Sequence, residues 1–251
     1  MEPLPNRLFW LHIYKSGGTS TRALLGEHYR QADRQAWPEC FSSLPRPLWN
    51  DVLNNWRVPL GPWHFRRSLY AKTHLYPEWD SLLRVAFVRE PLARCVSMFH
   101  YLFLDTSNLS GRFRSLAKSL YFERRAFLTS SGAFDLFLDL LEERIERPMT
   151  AIDRPRTLHF TCHTSRMWED VTDLEGHVLI NRIYRLENLN AGLVRTLEEL
   201  GLSVPASLNA ASKRLRARAT GNDYVPRPDQ RARVERLFGP DFGLYESALR
   251  V

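Results

Sequence analysis

Short runs of almost continuous apolar residues recur along the chain at wide intervals. The clearest are residues 7–13, RLFWLHI, and residues 84–88, RVAFV, while weaker runs cover residues 68–72 and 177–187. Runs of this length and character are typical of strands that are buried on both faces of a parallel sheet. The pattern therefore predicts a strand in each of these four segments.

Between the predicted strands, apolar positions follow the spacing of three to four residues that is typical of amphipathic helices. This spacing appears in residues 19–28, in the segment that begins at Pro91, in residues 113–147 with an internal break, and in residues 189–200. A basic loop at residues 212–228 precedes a last helical segment. Alternating strands and helices predict the α/β fold class, with one domain and a central parallel sheet flanked by helices on both faces.

The composition is that of an ordinary globular protein with a bias toward positive charge. Of the 251 residues, 44% are hydrophobic and 25% are charged, and no apolar run approaches the length needed to cross a bilayer. The first residues do not form a signal peptide, so we expect a cytoplasmic protein. The net charge of +7 suits an anionic partner, and nucleic acid is one candidate.

Cysteine and lysine are both scarce, and this limits the kinds of site that the chain can form. The three cysteines form no CxxC pair, which argues against a disulfide framework or a zinc ribbon. His159, Cys162 and His163 lie close together in sequence, but their spacing fits no zinc or haem pattern, so we expect no bound metal. Arginine supplies nearly all of the positive charge. A lysine within a motif is therefore informative, and the lysines are Lys15, Lys72, Lys118 and Lys213.

The segment KSGGTS, residues 15–20, follows the first predicted strand and opens the first predicted helix. Lys15 supplies a positive charge, and Gly17 and Gly18 allow the backbone to approach an anion closely. Thr19 and Ser20 can donate hydroxyl hydrogen bonds or cap the helix. The Walker pattern GxxxxGK[ST] is absent, which disfavours an ordinary ATPase or GTPase. A plain glycine turn before a capped helix is the alternative.

A second group of polar residues follows the strand predicted at 84–88. Arg89 comes directly after this strand, and Ser97 lies two turns along the helix that begins at Pro91. Ligands of open α/β sheets bind beyond the carboxyl ends of the strands, so Arg89 and Ser97 can converge on a second anion at the edge that carries KSGGTS. In the alternative interpretation, Arg89 pairs with a carboxylate and Ser97 is merely exposed.

Together, HIYKSGGTS and RVAFVREPLARCVS resemble the two cofactor signatures of sulfotransferases that use 3′-phosphoadenosine 5′-phosphosulfate (PAPS) and release 3′,5′-adenosine bisphosphate. The resemblance implies a P-loop-like sulfotransferase fold and an enzyme that needs no metal. It places the 5′-phosphosulfate among Lys15, Ser16, Gly17, Gly18, Thr19 and Ser20. It places the 3′-phosphate at Arg89 and Ser97. RARATGNDY is similar to the basic loop that folds over this cofactor. By this resemblance, the residues expected to contact the cofactor are Lys213, Arg214, Arg216 and Arg218.

Two further segments resemble different branches of the family. YRLENL resembles the carbohydrate sulfotransferases, whereas AKTHL resembles the cytosolic small-molecule branch, in which the histidine of KTH is the catalytic base. His74 is accordingly the expected general base of an in-line transfer to a hydroxyl, with Lys72 assisting. His64, in GPWHFRR, is the rival base. Glu187 either orients a basic side chain or caps the helix that follows it.

The resemblance also divides the predicted domain by role. Residues 1–104 and about 177–251 form the cofactor-binding core, and residues 105–176 form a mostly helical region on the acceptor side. The acceptor is a hydroxyl on a glycan or a polar small molecule. The alternatives are a nucleotide-dependent phosphotransferase, a basic nucleic-acid-binding module and a cofactor-binding protein without activity. A nucleic-acid module explains the charge but not two ordered anion motifs at strand ends.

Overall fold

A parallel sheet lies at the centre of the part of the chain that the structure describes. The structure is a computed structural model, and it describes residues 7–32, 41–55, 60, 63, 65–104, 130–146, 155–205, 208 and 224–250. The strands are β1 (Leu8–Leu11), β2 (Leu83–Val88) and β3 (Arg182–Arg185). Their order is β1-β2-β3 and both pairings are parallel, with Leu11 opposite Ala86 and Val88 opposite Arg185. The carboxyl ends of the strands therefore meet at one edge.

Helices surround this sheet. The α-helices among the described residues are α1 (Gly18–Leu25), α2 (Trp49–Asn55), α3 (Arg67–Tyr70), α4 (Pro91–Phe99), α5 (Ser130–Glu146), α6 (Pro155–Thr164), α7 (Met167–Val171), α8 (Leu189–Glu199), α9 (Pro228–Leu237) and α10 (Gly239–Ser247). Single π-helical turns, Ala71–Leu75 and His100–Leu104, continue α3 and α4. Short 3-10 turns lie at Gly26–His28, Phe41–Ser43, Arg46–Leu48, Trp79–Ser81 and Leu186–Asn188.

Alternate residues of β1 supply two different cores, because successive side chains of a strand point to opposite faces of the sheet. Phe9 and Leu11 pack in a cluster with residues of α2, α3 and α7, while Leu8 and Trp10 pack with residues of α1 and α8. All four side chains are buried. Helices therefore cover both faces of the sheet, as the alternation of elements predicts.

A third apolar cluster lies among the helices of the middle and the end of the chain. It joins α4, α5, α6 and α9 through aromatic side chains, and the ring centroids of Phe99 and Phe134 are 5.0 Å apart. Tyr101 packs against this cluster, next to the fully buried Leu102 and Phe103. The cluster thereby fixes the π-helical turn that follows α4.

The strand predicted at residues 68–72 is wrong. These residues form α3 and the start of its π-helical turn. Ser68 and Ala71 are buried, as is Leu75 at the end of the π-helical turn, and these positions recur at helical spacing. Ala71 and Leu75 pack into the cluster that also contains residues of α2 and α7. A run of five residues is too short to separate the two periods, and tertiary packing decided between them.

The other predicted elements are found where the structure describes them. The predicted strands at 7–13 and 84–88 correspond to β1 and β2, and the one at 177–187 shortens to β3. The predicted helices after residue 18, Pro91 and residue 188 correspond to α1, α4 and α8. Residues 113–129 and most of the basic loop lie outside the described residues. No helix in the described part of the chain is long and apolar enough to cross a membrane.

Candidate active site

The loop between β1 and α1 lies at the carboxyl edge of the sheet and turns sharply into the helix. Two of its residues adopt left-handed backbone conformations, Lys15 with φ of 66° and Gly17 with φ of 82°. Gly17 is the N-cap of α1, and no side chain in the described part of the protein caps this helix end. The first N–H groups of the helix are therefore open to an anion, which the helix dipole also favours.

The hydroxyl groups of the loop are arranged differently from the sequence-based expectation. Thr19 and Ser20 do not cap α1, since they lie inside its first turn, and the Thr21 hydroxyl donates to the Gly17 carbonyl at 3.1 Å. Ser16 is only 2% exposed, and its hydroxyl has no hydrogen-bond partner among the described residues. A buried hydroxyl without a partner is costly, and a bound anionic group would satisfy it. The loop fits an anion.

Gly17 and Gly18 are required by neighbouring side chains as well as by the turn. A Cβ atom at Gly17 would overlap Leu186, and a Cβ atom at Gly18 would overlap the imidazole of His12. The His12 ring stacks on Trp10, and its Nδ1 lies 3.1 Å from the Asn54 carbonyl oxygen, to which it donates. Burial, together with the charges of nearby arginines, lowers the pKa of His12 to about 3. A neutral imidazole therefore packs under the start of α1.

Two buried arginines hold the backbone that leads into the loop. Arg67 donates to the His12 carbonyl at 2.8 Å and makes a two-pronged ion pair with Asp170, at 2.9 and 2.8 Å. Arg94 donates to the Tyr14 carbonyl at 3.0 Å. The sequence-based list of site residues includes none of these three charged side chains, because their partners lie far away along the chain.

Arg94 is itself held by the C-terminal part of the chain. It donates to the Ser165 carbonyl at 2.9 Å and forms an ion pair with Asp241, with Nη1 and Oδ2 3.6 Å apart. Asp241 also accepts from the backbone N–H groups of Met167 and Trp168, at 3.0 and 2.9 Å. Burial raises the pKa of Asp241 to about 6. The guanidinium and carboxylate thereby connect the loop to α7 and α10.

The side chain of Lys15 extends to an aromatic cluster. Its ammonium nitrogen lies 4.2 Å from the ring centroid of Tyr101, on the π-helical turn after α4. The Tyr101 ring stacks on His163, with centroids 5.0 Å apart and planes inclined by 22°, and His163 lies 4.4 Å from the ring of Tyr14. His163 is buried. From the sequence alone, His163 is a candidate metal ligand and not a neighbour of Lys15.

The second anion motif begins at the same edge of the sheet, at the carboxyl end of β2. Arg89 follows β2 directly and is partly buried; burial lowers its pKa, while the charges of Glu187 and Glu90 oppose this effect. Ser97 is only 8% exposed, which excludes the alternative in which it is merely exposed. No described side chain caps α8, so Glu187 does not cap that helix. Its charge acts on Arg89 instead.

The N-terminus of α4 differs from that of α1 because it carries its own anion. The two carboxylate oxygens of Glu90 accept from the N–H groups of Leu92 and Ala93, at 3.0 and 2.6 Å. These helix N–H groups are thus already satisfied. An anion at this second position would depend on the side chains of Arg89 and Ser97.

His74, the general base expected from the sequence, and Lys72 lie on a different element from the anion loop. Lys72 and His74 lie on the exposed side of the π-helical turn, where the His74 ring contacts Tyr70 and Trp63, with centroids 4.9 and 5.6 Å away. The strand that would have delivered His74 to the sheet edge is a helix. Arg67 touches the loop, and His74 lies seven residues farther on, which corresponds to about 10 Å of helix.

Some of the sequence-predicted site lies beyond what the structure describes. His64 and the basic candidates Lys213, Arg214, Arg216 and Arg218 are outside the described residues. Within the described part, three side chains close enough to share a cation occur at Asp173, Glu175 and His177, on an exposed turn. This group contains neither Cys162 nor His163.

Comparison with known proteins gives one result at the family level. No curated protein and no solved structure matches the chain. The family model described as "Sulfotransferase family" matches residues 5–246, which is almost the whole sequence. The matched region includes both anion motifs and every strand of the described sheet. The chain therefore belongs to the sulfotransferase family, whose members transfer a sulfonate group to an acceptor.

Proposed function

We propose that this sulfotransferase takes its sulfonate from PAPS and transfers it to a hydroxyl group of a glycan or polar small molecule. The observation that carries the proposal is the loop of residues 15–20, which has a lysine and, as far as the described residues show, an uncapped helix end and a buried hydroxyl without a partner. Arg89, which follows β2 at the same edge, supports a donor with a second phosphate. A nucleotide that carries phosphate at one end only would leave the proposed second site at Arg89 and Ser97 unused.

The residues of the loop have distinct proposed roles. The N–H groups at the start of α1 and the hydroxyls of Ser16, Thr19 and Ser20 hold the 5′ end of the donor, and Lys15 neutralises the charge that develops there. Arg89 and Ser97 hold the 3′-phosphate. When bound, the donor supplies the sulfonate and a phosphate leaving group. The protein positions the groups and stabilises the charge, as in phosphoryl transfer.

The acceptor hydroxyl must lose its proton, and we propose His74 as the base, with His64 as the alternative. Histidine titrates close to neutral pH, and a general base typically contributes a rate factor of about 10² to 10⁴. The proposal is supported by the KTH context and by the exposure of His74, which leaves it open to an acceptor. Lys72, two residues earlier and also exposed, would stabilise the transferring sulfonate.

A comparison of two nucleotides tests the donor. 3′,5′-Adenosine bisphosphate should raise the melting temperature and bind more tightly than 5′-AMP, which lacks the 3′-phosphate. The Arg89→Gln variant should lose this preference, which we expect to be about tenfold to a hundredfold for a charged hydrogen bond. Arg231→Gln, at an exposed position of α9, is the matched control and should keep the preference.

Other outcomes would favour other functions. If folded protein shows no thermal shift with saturating bisphosphate, the donor proposal fails. A larger shift with ATP and magnesium would favour a phosphotransferase, and salt-dependent binding to arbitrary DNA without nucleotide affinity would favour a nucleic-acid module. Labelled PAPS with a panel of acceptor hydroxyls tests the reaction itself.

The base is tested separately from the donor. His74→Ala and His64→Ala are made one at a time, and the variant that lacks the base should lose turnover while still binding the bisphosphate. If neither variant slows transfer, both assignments are wrong.

A further inference from the structure

The contact between Lys15 and Tyr101 joins two elements that are far apart in sequence. The ammonium nitrogen of Lys15 lies over the face of the Tyr101 ring, 4.2 Å from its centroid. An aromatic face attracts a cation through its quadrupole, and a distance below about 6 Å is within the effective range. The ring face therefore provides a defined position for the charged end of a long, flexible side chain.

The Tyr101 ring is itself fixed from behind. The ring of His163 stacks against it. The same histidine contacts the ring of Tyr14, the residue next to Lys15. Leu102 and Phe103, the neighbours of Tyr101, are fully buried in the cluster of α4 and α5. The backbone carbonyl of Tyr14 is in turn held by Arg94. Contacts from Tyr14 to His163, and from His163 to Tyr101, thus connect the backbone of the loop to the ammonium group of Lys15.

We propose that Tyr101 is a positioning residue for Lys15, and that the face of its ring holds the ammonium group in one position. The inference rests on the proposed function, in which Lys15 neutralises charge at the donor. The ring, and not the phenol hydroxyl, carries the effect. Tyr101→Phe should therefore retain it, and Tyr101→Leu should lose it.

The scarcity of lysine makes the contact directly observable. Lysine labelled with ¹³C gives signals from Lys15, Lys72, Lys118 and Lys213, and a ring current shifts the side-chain protons above a ring upfield. We expect one upfield-shifted signal, which Lys15→Arg identifies by its disappearance. Tyr101→Phe should retain the shift and Tyr101→Leu should abolish it. Lys72, which is exposed, is the internal control in every spectrum.

Kinetics provide the second measurement. Tyr101→Leu should lower kcat by about 3-fold to 30-fold, the range for a cation–π contact, with a smaller change in the KM for the donor. Tyr101→Phe should remain within about 2-fold of the wild type. A merely structural role would instead lower the melting temperature of both variants and leave kcat per folded molecule unchanged.

The outcomes separate this inference from the proposed function. A Lys15 signal at the ordinary lysine position in the wild-type spectrum overturns the inference without any variant. Equal kcat in the wild type and Tyr101→Leu also overturns it. If the wild type neither binds the bisphosphate nor transfers sulfonate, the proposed function fails, whereas the ring-current shift still reports on the contact. Should Tyr101→Leu not fold, Tyr101→Met is the second ring-free variant.

Discussion

Gly18→Ala should destabilise the protein even though alanine is a better helix former than glycine. Gly18 is the first residue of α1, and its backbone does not require a positive φ. The added methyl group would overlap the His12 imidazole, so the ring must move. Movement of the ring would disturb its hydrogen bond to the Asn54 carbonyl and its stacking on Trp10.

The expected cost follows from these contacts. Overpacking a filled site typically costs about 1–3 kcal/mol, and a lost hydrogen bond adds about 0.5–1.5 kcal/mol. Alanine returns at most about 1 kcal/mol of helix propensity. The net loss should be roughly 0.5–3.5 kcal/mol, which for a chain of this size lowers the melting temperature by about 1–14 °C.

Urea unfolding with a double-mutant cycle is the assay. The control is Gly243→Ala in α10, where an added Cβ meets nothing within 4 Å and stability should rise slightly. In a His12→Ala background the ring is gone, so the penalty of Gly18→Ala should almost vanish. If the penalty is the same with and without His12, this explanation of Gly18 is wrong. If nucleotide binding alone is lost in both backgrounds, the glycine is needed for the anion.

Two further predictions concern buried charge. The pKa of His12 is about 3 in the folded protein and about 6.5 in the unfolded protein, so the unfolded state takes up a proton first on acidification. The free energy of unfolding, measured by urea titration, should therefore fall by about 1.4 kcal/mol between pH 7.5 and 5.5. His12→Gln should remove this pH-dependent loss. Asp170→Asn should cost about 3–5 kcal/mol because it leaves Arg67 buried without its partner. Asp80→Asn, which breaks a pair between the exposed Asp80 and Arg84, should cost at most about 1 kcal/mol. Equal losses would contradict the role given to burial.

The segments that could be predicted are those whose signal is local. The run RVAFV predicts β2 because a buried parallel strand needs apolar side chains on both faces, and the KSGGTS segment marks a strand-to-helix turn through its own glycines. The start of α4 was also predictable, since Pro91 suits the first position of a helix. These features depend on a few adjacent residues.

The features that escaped prediction depend on distant partners. Arg67 meets its carboxylate 103 residues away, and Arg94 reaches a carbonyl 80 residues away. The spacing of apolar residues does not predict such pairs. The weak indication in the sequence is an arginine that lies within an apolar stripe. The strand assigned to residues 68–72 failed for the same reason, because packing against α2 and α7 selected the helical period. His163 became a neighbour of Lys15 only through Tyr101.

The connection of Tyr14 through Arg94 to Asp241 has a consequence for the order of folding. The anion loop is made well before α10, which carries the carboxylate that neutralises Arg94. Bringing two such distant segments together is slow, because the chain loses conformational entropy before the contact between them stabilises it. We therefore expect the loop to gain its final shape in the last stage of folding, so that a nascent chain becomes competent to bind its donor only once α10 has docked.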